Sequence, residues 1–293
     1  MIIDLYLIGR KGREVLKSIY ENGYGNFIGK VTASRDPGTL EDCYDEIKAY
    51  CDKYNIPFFD RSSLKDSDGQ NYRFMIGWKW LVTGTSNTFV FHDSLLPAYR
   101  GFSPLVNALI HGEKEIGATV FMASGEYDTG PIVYQVKFSV HHPARINEVL
   151  DKMCEVYGEL ALSLINNLTK EVALPLEIQE EAHASYSLWR DEEDYEIDWN
   201  RDSEYILRMI YALSFPFKGA FTLLNKDRII IKDAELVKDI QLVMRDVGKL
   251  VFMHDDKCPV VVCGTGLLKI KEAYYSADYT SILPLKKFRS RFG

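Results

Sequence analysis

Two polar side chains stand where apolar runs give way to loops. His92 closes the run Phe89-Val90-Phe91, and Asp128 opens Asp128-Thr129-Gly130 after a second run, Ala118 to Met122. An imidazole where a buried strand meets solvent is well placed for chemistry in an α/β protein. A carboxylate on another loop can hold the ring and raise its basicity, so that the two act as base and orienter. Between them lie Ser94-Leu95-Leu96-Pro97, the loop Ala98-Tyr99-Arg100-Gly101, and Ser103-Pro104. The last two read as N-cap and first residue of a helix that Gly112 ends. A second cluster, Gly9-Arg10-Lys11-Gly12-Arg13, follows the first apolar run. Glycine, cations and a helix N-terminus can receive a phosphate. A tight strand-to-helix turn with solvated charges explains the same residues. The spacing does not fit the dinucleotide pattern GxGxxG.

The stretch from Val90 to Ile132 resembles the formyltransferases that use 10-formyltetrahydrofolate. Their pattern is Asn-x-His-x-Ser-Leu-Leu-Pro-x-Tyr/Phe-Arg-Gly, then Gly-Glu-x-x-x-Gly-x-Thr, then Asp-x-Gly. Here it is read in His92, Ser94-Leu95-Leu96-Pro97, Tyr99-Arg100-Gly101, Gly112-Glu113, Gly117-Ala118-Thr119 and Asp128-Thr129-Gly130. One position fails: the family's Asn is Val90. The resemblance implies that His92 takes the proton or stabilises the intermediate. It implies that Asp128 orients and charges His92 and helps to position the folate. The folate loop of the family falls at Trp78-Lys79-Trp80-Leu81, where two indoles can flank a flat pterin, although tryptophans also cover sheet edges. Formyl transfer needs an uncharged amine and a donor for the oxyanion. Val90 cannot donate, and losing one such donor typically costs about 10² to 10³ in rate. Ser94, Asn87, a backbone N–H or a charged His92 are the candidate substitutes. A non-catalytic sugar-nucleotide or folate-binding relative is the alternative.

Three acceptors compete within the resemblance. Glycinamide ribonucleotide formyltransferases resemble only the first half of the chain. Methionyl-tRNA formyltransferases resemble both halves but must hold a polyanion. The net charge is −7, and residues from His183 onward balance at 17 basic and 17 acidic, so the acidic excess lies in the first 182. That distribution weighs against nucleic acid. A UDP- or dTDP-linked amino-deoxy sugar fits better, served by Arg10, Lys11 and Arg100 with Ser94, Tyr99 and Gly101 beside them. The expected activity is N-formylation of such a sugar for surface polysaccharide or glycan synthesis, with a homodimer as the assembly the resemblance allows.

The remaining expectations concern the elements that position these residues. The 293 residues suit two ordinary domains. Ile2 to Ile8, Ile28 to Ala33 and Arg73 to Gly77 read as strands, and a helix with Leu40, Ile47 and Cys51 on its inner face follows the second. Strands alternating with helices predict a doubly wound, mostly parallel sheet, a Rossmann-like formyltransferase domain over residues 1–182. Arg145 to Leu168 keeps the helical period from Ile146 to Leu168 and reads as core. His141 and His142 are expected to face solvent. From residue 183 to 293 the short runs Phe221–Leu224, Arg228–Ile231, Leu250–Met253, Val260–Cys263 and Leu267–Ile270 predict a small β-rich domain, OB-like by resemblance. The five cysteines are scattered without ligand spacing, so no metal and a reducing, cytoplasmic setting are expected. The N-terminal run reads as a first strand rather than a signal peptide, and no run is long enough to span a membrane.

Overall fold

The computed structural model describes residues 1–63, 70–81, 84–253 and 257–293. It divides into two compact units. The first comprises Met1–Leu105, Glu115–Ser139 and Val149–Trp189; the second comprises Val106–Lys114, Val140–Glu148 and Arg190–Gly293.

In chain order the elements of the first half are β1 (Ile3–Leu7), α1 (Gly9–Ile19), β2 (Ile28–Ala33), α2 (Tyr44–Tyr54), β3 (Phe58–Asp60), β4 (Tyr72–Ile76), β5 (Thr88–His92), β6 (Arg100–Gly101), α3 (Pro104–His111), β7 (Glu115–Met122), β8 (Ile132–Ser139), α4 (Ile146–Thr169) and β9 (Tyr186–Ser187). Seven strands form one sheet in the order β3-β2-β1-β4-β5-β7-β8. The run from β3 to β5 is parallel, and β7 and β8 add on antiparallel. The expected mostly parallel sheet is therefore present. Every residue of β1 is buried, as a central parallel strand covered on both faces must be. Gly12 explains the spacing of the glycine-rich turn: a Cβ there would lie 2.9 Å from the Leu7 Cβ. It is a packing residue that lets α1 lie close on β1.

Three expectations change. Leu40 does not sit on the inner face of α2 but precedes it, exposed; Cys43 has φ +55, so the helix starts only at Tyr44, with Ile47 and Cys51 buried. Ser103 has φ +49 rather than the extended backbone of a capping residue, although the helix does begin at Pro104. His142 is half-buried, its Nε2 2.7 Å from the Glu113 carbonyl, while His141 is exposed as expected.

The second unit holds α5 (Ser203–Ala212), capped by Asp202, whose carboxylate accepts the Tyr205 N–H at 2.7 Å. Its sheet has the order β10-β11-β14-β13-β12, all antiparallel, built from β10 (Phe221–Leu224), β11 (Asp227–Val237), β12 (Leu250–Met253), β13 (Pro259–Val262) and β14 (Leu267–Tyr275). Asn225 and Lys226, at φ +52 and +76, make the hairpin turn between β10 and β11. Strands β11 and β14 run further than their apolar cores because charged residues such as Asp233 and Glu272 continue the pairing. Among the described residues no helix is long and apolar enough to cross a membrane.

Candidate functional site

Strands β1, β4 and β5 end side by side: Leu7 pairs with Ile76, and Ile76 with Phe91. The chain segments that follow them therefore leave from one edge of the sheet, the carboxyl edge where open parallel sheets bind ligands. These segments carry Gly9-Arg10-Lys11, Trp78-Lys79-Trp80-Leu81 and the loop after His92. Strand alternation sorts the side chains at the end of β5. Val90 and His92 point to one face, where Val90 packs on Leu96, Phe121 and Ile132, and the His92 ring meets Phe121 edge-to-face at 6.5 Å. Phe91 and Asp93 point to the other, where the Phe91 ring lies 5.6 Å from that of Tyr157.

His92 is only 7 % exposed. Its Nε2 lies 2.9 Å from the Tyr99 carbonyl oxygen, which can only accept, so Nε2 carries the hydrogen. Its Nδ1 lies 3.7 Å from Asp128 Oδ2, and that oxygen also accepts the Gly101 N–H at 2.7 Å. Met122 pairs with Phe89, so the loop between β7 and β8 must turn back along the sheet face for Asp128 to reach the ring. The Gln179 side chain braces that return, donating to the carbonyls of Asp128 at 2.9 Å and Gly130 at 2.7 Å. Tyr99 and Asp128 have φ +59 and +55, a backbone conformation that residues with a Cβ adopt when the surroundings impose it.

The Ser-Leu-Leu-Pro turn is closed on itself. Ser94 Oγ donates to the Ala98 carbonyl at 2.7 Å, and its carbonyl accepts the Thr119 hydroxyl at 2.7 Å. The Ser94 proton is thus committed, which removes Ser94 as a substitute oxyanion donor. Asn87 precedes the opposite end of β5, roughly 16 Å from His92 at the rise of an extended strand, too far to serve either.

The three cations expected to receive an anion all end on carboxylates. Arg10 binds Glu41 at 2.5 Å and Asp151 at 2.7 Å. Lys11 pairs with Asp93 and lies 5.3 Å from the centre of the Tyr157 ring. Arg100, 2 % exposed, reaches Gln179 at 3.1 Å and Glu181 at 2.7 Å. None of them is the free cation that the sequence suggests. Arg100 instead ties the segment around Gln179 and Glu181 to the loop after His92, helped by the pairing of β6 with β9. There the Arg100 N–H donates to the Ser185 carbonyl, the Phe102 N–H to the Ser187 carbonyl, and the Tyr99 N–H to the Ser185 hydroxyl. Gly101 is required at this junction: its φ is +102, and a Cβ would sit 2.5 Å from the Ser187 carbonyl oxygen.

Trp78 stands edge-on to Tyr6 at 5.2 Å and to Trp80 at 5.1 Å. The Arg61 guanidinium covers a face of Trp80 at 3.6 Å, Lys79 is paired with Asp36 at 2.8 Å, and Leu81 is exposed. Among the described residues the buried Trp78 indole N–H has no hydrogen-bond partner, an unfilled demand for an acceptor. Asp93, Tyr157 and Gln179 are site neighbours that the sequence reading missed. Tyr157 lies in the apolar stripe of α4, where a tyrosine looks like core. Among the described residues no group of three or more His, Cys, Asp or Glu could hold a metal ion.

Comparison with known proteins adds a family. The formyl transferase model matches residues 72–164, and the formyl transferase C-terminal domain model matches residues 190–277. Methionyl-tRNA formyltransferase of Marinobacter nauticus is 32% identical over 232 residues, covering 74% of this chain and 73% of the relative. The match to methionyl-tRNA formyltransferase of Halothermothrix orenii is 35% identical over 147 residues, and spans 50% of this chain and under half, 46%, of the relative. Among solved structures, an N-formyltransferase from Helicobacter canadensis, in complex with folinic acid and dTDP-3-aminofucose, superposes with a TM-score of 0.64. It is 17% identical, with 92% of this chain and 99% of that chain covered.

Proposed function

This chain belongs to the formyltransferase family, and we propose that it moves the formyl group of 10-formyltetrahydrofolate to the amine of a nucleotide-linked amino sugar. The observation that carries the chemistry is the convergence of His92, Asp128 and the Gly101 N–H at the carboxyl edge of the parallel sheet. The neutral amine attacks the formyl carbon, forming the new C–N bond and a tetrahedral oxyanion. Nε2–H is held by the Tyr99 carbonyl, so Nδ1 is the ring atom that takes the amine's proton, and Asp128 faces the charge this creates. The proton then passes to N10 of the folate as its bond to the formyl carbon breaks. Val90 is apolar, Ser94 is committed and Asn87 is at the far end of β5, which leaves the oxyanion to backbone N–H donors or to the charged His92. The unpartnered Trp78 N–H fits a flat polar ring that accepts a hydrogen bond, beside Trp80 and Leu81. No step calls on a metal.

Charge supports the sugar acceptor. Binding of tRNA neutralises many phosphates with Lys and Arg, which the acidic excess of residues 1–182 opposes, whereas Arg10, Lys11 and Arg100, spent on carboxylates, favour neither acceptor. Methionyl-tRNA remains the second reading, favoured by the names of the sequence relatives. One experiment separates them. The protein is incubated with 10-formyltetrahydrofolate and, in parallel, UDP- and dTDP-linked amino sugars or methionyl initiator tRNA. A mass gain of one formyl group on a sugar nucleotide is expected, and transfer to the tRNA at a comparable rate would overturn the sugar assignment. The buried thiols of Cys43, Cys51, Cys154 and Cys263 fit a reducing compartment.

A further inference from the structure

We infer that Asp93, anchored by Lys11 and Tyr157, is a positioning residue for His92. The inference rests on the formyl-transfer reading of His92. Asp93 follows His92 at the point where β5 ends, and alternation sends the two side chains to opposite faces of the sheet. Both carboxylate oxygens are taken: Oδ2 by the Lys11 ammonium from α1, and Oδ1 by the Tyr157 hydroxyl from α4. Asp93 and Lys11 are 15 % and 16 % exposed, and Tyr157 is fully buried. One side chain thus fastens the last turn of the strand to two helices at once. The peptide linking Asp93 to His92 has little freedom, and neither has the direction in which the imidazole leaves the backbone.

A purely structural role explains this cluster poorly. A buried ion pair seldom stabilises a fold more than apolar side chains of the same size would. Here the pair is placed one peptide from the reacting ring. Burial acts to raise the Asp93 carboxyl, yet the Lys11 charge and the hydrogen bonds from Lys11 and Tyr157 outweigh it and hold the group below the usual carboxylate range. Asp93 is therefore a fixed anion with a fixed geometry. Of the two acceptors that this anchor needs, Asn at the same position would keep one.

The test compares wild type with Asp93→Asn, Tyr157→Phe, Lys11→Met and the double variant Lys11→Met/Asp93→Asn. Turnover and melting temperature are measured for each. In parallel, ¹⁵N NMR of the histidine ring nitrogens is recorded on the free proteins, with the His92 signal identified by its loss in His92→Asn. The expected result is that kcat falls about tenfold in Asp93→Asn with KM values nearly unchanged, as for a small misplacement of a catalytic group. The His92 nitrogens should report one Nε2–H tautomer in wild type and a mixture in Asp93→Asn. The double variant should recover melting temperature but not kcat. Recovery of both, or unchanged His92 signals in Asp93→Asn and Tyr157→Phe, would overturn the inference. The NMR arm needs no acceptor, so a wild-type protein inactive on every amino sugar refutes the proposed substrate and leaves this comparison decisive.

Discussion

His92 Nδ1 faces Asp128 Oδ2 at 3.7 Å, while the same oxygen holds the Gly101 N–H at 2.7 Å. One carboxylate therefore both faces the ring and fixes the loop that carries Tyr99, whose carbonyl sets the other end of the ring. Replacing the ring removes the proton acceptor but leaves that loop bound to Asp128. His92→Asn should lower turnover by about 10²- to 10⁴-fold, the contribution typical of general acid–base groups. Its melting temperature should stay within a few degrees of wild type. Retention of more than a few per cent of activity would remove His92 from the mechanism.

Asp128→Asn separates the two duties of the carboxylate. An amide oxygen can still accept the Gly101 N–H, so the loop should hold and the fold should survive. A neutral amide cannot stabilise a proton on Nδ1, so turnover should fall by about 10²-fold or more. The pH–rate profile should change with it. A profile superimposable on wild type would show that Asp128 does not act through the histidine.

The pair itself is legible in the sequence because both members follow apolar runs and sit among motif residues. Its supports are not. Arg10 reads as a free cation, since nothing local shows that its partners lie 31 and 141 residues away. The β6–β9 pairing is two residues long on each side and leaves no periodic signal. Tyr157 matches the apolar spacing of α4, so its hydroxyl is invisible until Asp93 is placed beside it. The central strands of the parallel sheet are legible for the opposite reason: burial on both faces makes β1 and β4 mostly apolar runs, interrupted by Asp4 and Arg73. Leu40 misleads because the helical period says nothing of the left-handed Cys43 that delays the helix.

Acid should expose the Asp93 anchor. Its carboxyl titrates lower in the folded chain than the value of about 3.9 expected when unfolded. The group therefore contributes stability that is fully present above roughly pH 4 and is lost as pH falls through the folded value. Denaturant unfolding of wild type and Asp93→Asn should differ most near neutrality, with the gap closing below that pH. A gap that stays constant down to pH 3 would show that the Asp93 charge does not stabilise the fold.

Gly101→Ala tests the junction between the loop that carries Tyr99 and the segment around Ser187. The left-handed backbone alone costs a residue with a Cβ about 1–2 kcal/mol, and the new methyl would lie 2.5 Å from the Ser187 carbonyl oxygen. Melting should drop by at least roughly 2 °C. Turnover should fall too, because the N–H that holds Asp128 moves. An unaltered melting temperature would mean that the β6–β9 pairing is not formed in solution.

Val90 stands where the pattern that the sequence resembles has Asn, and its packing decides what an amide would do there. The side chain lies against Leu96, Phe121 and Ile132, an apolar patch on the same sheet face as His92. Paired across the sheet with Met75 and Phe121, it meets no polar side chain from either neighbouring strand at its own register position. Val90→Asn would bury an amide among these groups, and an unsatisfied buried polar group costs about 1–3 kcal/mol. Some packing with Leu96 and Phe121 would be lost as well. If backbone donors or the charged His92 already meet the oxyanion, stability should fall and turnover should not rise. If instead the site runs one donor short, the amide would restore a contact worth about 10² to 10³ in rate, far more than the instability could hide. The closed Ser94 turn and the apolar patch favour the first outcome. Turnover of Val90→Asn tenfold or more above wild type, measured at a temperature where both proteins are folded, would show the choice to be wrong.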